Sequence, residues 1–361
     1  MDQRVANLLP LIALIAISIL AAAQLAPAAN PGRNSTARGI SDAGVVVGEA
    51  DVAPGRACAS GRKAGIVCVR AFEAAPRRLR DLGTFGGPSS RAAGVNEGDV
   101  VGGAETSALA PDGTRIFHAF LYAGGKMRDL GTLGGVNSFA RGISERGSVV
   151  GAADTSRRDD NGLPVAHAFL WREGRMLDLG TLGGPSSSAA AVNEREEIVG
   201  ESLTASGQLH AFVYREGTMH DLGTLGGSSS RAFGINYKGQ IVGEAETESG
   251  ELHAFLFDAG TMHDLGTLGG SQSRANGING RGQIVGQALN ASGVLRAFLH
   301  EDGMMRDVGT LGGPASRAFG INGRGEIVGD ADTPAVDGRG VHIFHAFIFK
   351  RGSMTDLGTL P

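Results

Sequence analysis

Residues 228–270 read SSSRAFGINYKGQIVGEAETESGELHAFLFDAGTMHDLGTLGG, and the fold follows from this stretch. Arg231-Ala232-Phe233-Gly234-Ile235 is a short extended run. Asn236-Tyr237-Lys238-Gly239 comes next, with Asn first and Gly fourth, the order a type I turn closed by a bulge prefers. Residues 240–245 return, held extended at their centre by the β-branched Ile241 and Val242. A polar loop leads to a third run at 252–257. Asp258-Ala259-Gly260 turns the chain, residues 261–267 run back, and Gly269-Gly270 releases it. Four short strands in about 43 residues make one blade-sized unit. No segment carries a helical period.

The unit recurs. Asp-Leu-Gly-Thr, or a near copy, begins at Asp81, Asp129, Asp178, Asp221, Asp264, Asp307 and Asp356, at intervals of 43 to 49 residues. Ala-Phe stands before each, preceded by His118, His167, His210, His253 and His345 in five copies and by Arg70 and Arg296 in two. Gly-Ile-Asn followed by Ile-Val-Gly opens each unit, with Ser for Asn in the copies that start at Gly39 and Gly142. On these motifs the chain resembles the HAF-repeat family of probable extracellular repeat proteins, over nearly everything after its N-terminal segment. The resemblance implies export and no defined biochemical activity. Arg70 and Arg296 depart from the motif, which implies that His is not needed in every unit.

One unit has two apolar faces and cannot bury both alone. Stacking units side by side buries them, and closing the row into a ring removes the exposed ends. Seven units lie within the usual four to eight blades of a propeller. The expected fold is therefore all-β, a seven-bladed β-propeller of four-stranded blades at 35–87, 88–135, 136–184, 185–227, 228–270, 271–313 and 314–361. Because each copy is whole, closure needs no strand exchanged between the ends. An open β-solenoid is the alternative.

The composition agrees. Of 361 residues 59 are Gly, without a collagen period, which favours turns over helices. The net charge of −4 carries no basic bias, so nucleic acid is not an expected partner. One Trp and three Tyr are few for a protein that stacks sugar rings. Arg4 precedes an apolar run over 8–23 that ends in Ala21-Ala22-Ala23, with a second small-residue site at Ala26-Pro27-Ala28. This reads as a signal peptide over 1–23, shorter than the roughly 20 apolar residues of a spanning helix, then a linker over 24–34. A retained anchor is the alternative. The protein is expected to be exported, periplasmic or extracellular, with no membrane contact beyond that segment. In an oxidising compartment Cys58 and Cys68, the only cysteines, are expected to form a disulfide.

In a four-stranded meander the second-to-third loops and the inter-blade links share one face of the disc. Those loops are long in unit one (51–67), unit three (154–165) and unit seven (332–343), which marks that face as a binding surface. On it, Arg91, Arg231, Arg274 and Arg317 occupy one position just after the Gly-Gly link. Arg38 and Arg141 stand two residues further on, so strand alternation points all six the same way; unit four has Ser188 there. With the first strand innermost, they would ring the mouth of a central channel and hold an anion through bidentate contacts. The competing reading pairs each Arg with a repeat Asp of the neighbouring unit, such as Asp264 or Asp307.

The motif histidines would be spread around the ring, too far apart for one metal ion, and are expected to donate to neighbouring carbonyls. The repeat Asp is expected to serve its turn. Asp154, Asp159, Asp160 and Asn161 lack EF-hand spacing and read as a solvated loop. No cofactor, metal site or catalytic group is expected. The reading is an exported, monomeric binding module for an unknown extracellular ligand, anionic in character, or for a protein or glycan partner. A propeller-type hydrolase or lyase acting on an extracellular polymer and a purely structural surface repeat are the alternatives.

Overall fold

The computed structural model describes residues 34–52, 68–75 and 78–360, and among them no helix occurs. The signal segment and nearly all of the linker lie outside the described residues. The strands form seven four-stranded antiparallel sheets, each made of four consecutive strands in order. The first strand of every sheet packs against the first strands on both sides, and that of sheet one (Ser35–Ile40) meets that of sheet seven (Ser316–Ile321) as well as that of sheet two (Gly86–Val95). The first strands therefore surround an axis and the ring is closed. The protein is a seven-bladed β-propeller.

Blade five shows why the repeat folds this way. Its strands are Gly226–Ile235, Ile241–Thr247, Leu252–Asp258 and Thr261–Asp264. Asn236 Oδ1 accepts from the Lys238 and Gln240 amides, and the Gly239 amide bonds to the Asn236 carbonyl, so Asn builds the first turn as its sequence position suggests. The first strand bulges between Ala232 and Gly234, opposite Gly243. There the Arg231 carbonyl comes so close that a Cβ on Gly243 would lie 1.9 Å from it, which is why the Ile-Val run must end in Gly. In the Gly-Gly link Gly269 has φ +97, and a Cβ on Gly270 would strike the Leu289 side chain. Such glycine pairs begin the next blade rather than end the last: Gly86 already pairs with Thr106, two residues before the boundary expected at 88.

The blades adhere through apolar and polar contacts that repeat. Phe72, Phe120, Phe169, Phe212, Phe255, Phe298 and Phe347, one per blade, are fully buried, each contributing about 1.5–3 kcal/mol by leaving water. A buried Ser in each inner strand reaches the blade before it. Ser230 Oγ accepts from the Ala211 amide at 2.8 Å and donates to the Gly223 carbonyl at 2.5 Å. Ser35 does the same to Ala346 and Gly358, at 2.8 and 2.5 Å, and so fastens blade one to blade seven. The turn Asn side chains form a second belt, Asn236 donating to the Asn279 carbonyl, Asn279 to Asn322 and Asn322 across the seam to Ser41. Asn193 and Asn96 do likewise to Asn236 and Ser144.

Two expectations need correction. The long loops of units three and seven are strand extensions: Val149–Arg158 with Pro164–Arg172, and Ile327–Val336 with His342–Lys350, project as hairpins with tight turns, and blade two adds Val100–Leu109 with Arg115–Ala123. Their outer ends carry runs of exposed residues with no apolar alternation to mark them as strands. The motif histidines do not donate to carbonyls. Nδ1 of His118, His167, His210, His253 and His345 lies 2.7–2.8 Å from the repeat Asp eleven residues on. Arg296 makes the same pair with Asp307 and Arg70 approaches Asp81, which accounts for Arg in place of His. The other carboxylate oxygen caps the turn, as Asp221 Oδ1 does for the Gly223 amide.

A candidate anion site in the central channel

The channel is built from two residues of each inner strand. Period two brings inward the residue after the buried Ser and the residue two further on. Arg91, Arg231, Arg274 and Arg317 hold the first position, with Phe139 and Ser188 in blades three and four. Arg38 and Arg141 hold the second, with Phe233, Asn276 and Phe319 in blades five to seven. All six predicted arginines thus stand on inner strands, and Arg38, Arg91 and Arg141 line the cavity enclosed by those strands. Cys68, at the start of the third strand of blade one, is buried and disulfide-bonded; Cys58 lies outside the described residues.

The arginines find carboxylates that the sequence reading did not assign to them. Asp264 and Asp307 are taken by His253 and Arg296. The partners come instead from the second strand, at the residue after Val-Gly. Arg38 Nη2 lies 2.7 Å from Glu49, and Arg91 Nε 3.0 Å from the same carboxylate. Arg231 bridges Glu201 and Glu244, each at 3.0 Å. Arg317 grips Asp330 with two bonds of 2.8 Å. Burial opposes the charge on Arg38 and on Glu49, but their mutual attraction, with Arg91 adding to it, prevails: the Arg38 pKa is raised and that of Glu49 lowered.

Two arginines are left over. Arg274 stands 3.6 Å from Glu244, which Arg231 already holds, and its buried Nε has no hydrogen-bond partner; its guanidinium instead stacks 3.9 Å over Phe233. Burial, with Arg231 and Arg141 adding to it, pulls its pKa down. Arg141 alone of the six has no hydrogen bond, ion pair or ring contact with any described residue. The cause is legible in the repeat. The residue after Val-Gly is Glu49, Glu201, Glu244 and Asp330 in four blades but Gly103, Ala152 and Gln287 in blades two, three and six. Arg141 is the counterpart of Arg38, and Ala152 stands where Glu49 would serve it. On blade two Gly103 leaves room for the Phe139 ring, whose nearest atom would lie 2.1 Å from a Cβ there.

Arg141 faces a cavity of about 350 Å³ that all seven inner strands line. Its charged lining is Arg38, Arg91, Arg141 and Glu49, three guanidiniums against one carboxylate. Reading the sequence for arginines alone missed Phe139, Phe233 and Phe319, which share the lining. Setting the units against one another at the residue after Val-Gly would have singled out Arg141.

No family model and no curated protein matches this chain. Among solved structures it resembles a puromycin hydrolase (TM-score 0.60, 14% identity) and a puromycin-hydrolysing peptidase of Mycobacterium tuberculosis (TM-score 0.59, 12% identity). It is covered to 92% in both and spans 54% and 55% of their chains, about half their length. At this identity the likeness establishes the fold.

Proposed function

We propose that this is an exported binding protein of the HAF-repeat type whose central channel takes a small organic anion. One observation carries the reading: Arg141 is a half-buried guanidinium facing the channel cavity without a partner among the described residues, because Ala152 replaces the acid that neutralises its counterpart. A carboxylate offered by a ligand would meet Arg141 bidentately, in a site where the extra positive charge is already in place. The other ring arginines serve the scaffold: Arg91, Arg231 and Arg274 reach carboxylates of the preceding blade, and Arg38 and Arg317 hold the carboxylates of their own.

Two substitutions test this. Ala152→Glu supplies the missing acid from within, and is expected to leave the melting temperature equal or higher while weakening small-carboxylate binding at least about tenfold, or about 1.4 kcal/mol. Arg141→Ala should abolish binding with little loss of stability, since it breaks no bond. Arg231→Ala should cost about 3 kcal/mol, because it takes the ion-pair partner from Glu201, whose side chain is only 8% exposed, and leaves Glu244 with the more distant Arg274 alone. Carboxylate binding that survives Ala152→Glu unchanged would refute the assignment.

A further inference from the structure

The cavity is two-sided, and this bears on what kind of anion fits it. Arg38, Arg91 and Arg141 come from the adjacent blades one, two and three, with Glu49 and Phe139 beside them, so all of the charged lining lies on this side. The facing wall comes from blades four to seven and offers Ala190, Phe233, Asn276 and Phe319. Phe319 carries Arg38 over one face at 4.6 Å, and Phe233 carries Arg274 at 3.9 Å, which fixes both rings. The single polar side chain on this wall, Asn276, already donates its amide to the Ala318 carbonyl at 2.7 Å.

We infer that the ligand is an amphipathic carboxylate, its acid group on the Arg141 side and a flat apolar or aromatic body against Phe233 and Phe319. This rests on the channel reading above and names the ligand class. A hydroxyl-rich sugar acid of similar size would turn its hydroxyls toward a wall that can offer them little beyond the Asn276 oxygen, and each unpaired hydroxyl would weaken binding. Inorganic phosphate would satisfy the arginines but leave the apolar wall uncovered. A volume of about 350 Å³ is at the small end of ligand pockets, right for one or two fused rings.

The test is a titration of the purified protein with 2-naphthoate, benzoate, acetate, glucuronate and inorganic phosphate, followed by calorimetry and thermal shift. 2-Naphthoate is expected to bind at least tenfold more tightly than acetate and than glucuronate. Phe233→Ala should remove most of that tenfold advantage while leaving acetate within about twofold of its original affinity. Should Phe233→Ala fail to fold, the ranking on the unmodified protein still decides. Glucuronate or phosphate binding as well as 2-naphthoate overturns the amphipathic assignment while leaving the anion site standing. Absence of binding by every probe, or binding indifferent to Ala152→Glu, overturns both.

Discussion

Ser35→Ala, set beside Ser230→Ala, asks whether the ring is closed in solution. The two serines sit at equivalent positions, are 2% and 1% exposed, and each makes two hydrogen bonds to backbone groups of the preceding blade. Removing the hydroxyl orphans one buried amide and one carbonyl. At about 1–2 kcal/mol for each group left unpaired, both variants should lose about 2–4 kcal/mol. The difference lies in what is spanned. Ser230 joins blades that follow one another along the chain, whereas Ser35 joins residues separated by 311 and 323 positions, across the seam. Urea denaturation followed by tryptophan fluorescence and by circular dichroism gives the loss for each variant. Equal losses mean that blade one rests on blade seven as firmly as any other pair. If Ser35→Ala stays within about 0.5 kcal/mol of the parent while Ser230→Ala does not, the seam is open and the channel argument fails with it.

Further outcomes follow from the same contacts. His210→Arg should leave stability unchanged, since Arg296 plays this part in blade six, whereas His210→Ala should cost about 0.5–1 kcal/mol for a pair whose Asp is 41% exposed; melting temperatures separate the two. Gly243→Ala should cost about 3 kcal/mol or more, because its methyl would meet the Arg231 carbonyl at 1.9 Å, and a soluble variant of parental stability would contradict the bulge. The folded-state pKa of Glu49 lies below its ordinary 4.5, so its contribution is present above that pH and is lost as pH falls from 4.5 through the depressed value. Glu49→Gln should therefore be clearly less stable than the parent at pH 7, with the gap closing below pH 4.5 in paired thermal melts.

The blade was legible because every level of the sequence agreed on it. Asn236 and Gly239 fixed the first turn, Ile241 and Val242 the second strand, and Phe255 a core position. The copy number then implied closure, since an open row would leave two apolar faces in water. Contacts between strands were less legible. The partners of Arg231 are Glu244, thirteen residues on, and Glu201 on the previous blade, and it is the bulge at Ala232–Gly234 that brings Arg231 opposite Glu244, where an unbroken register from the turn would have set Ala245. Without that shift the prominent Asp264 looked the natural partner. The pairing of His253 with Asp264 is hidden in the sequence for the related reason that it depends on how the third and fourth strands align. Arg141 was hidden among six similar residues, because its distinction lies in what Ala152 lacks.

Every blade is drawn from one continuous stretch of chain, with no strand borrowed across the seam. The disc consequently has no keystone. Units could be duplicated, deleted or re-ordered in a gene, or the ends joined and the chain re-cut at another link, while each interface stayed of the same kind. Chemical individuality then resides in single letters that break the pattern. A transplanted copy of unit five in place of unit three would bring an acid to the Ala152 position and erase the pocket, whereas Glu201→Ala in unit four would begin to carve a new vacancy one seventh of a turn away.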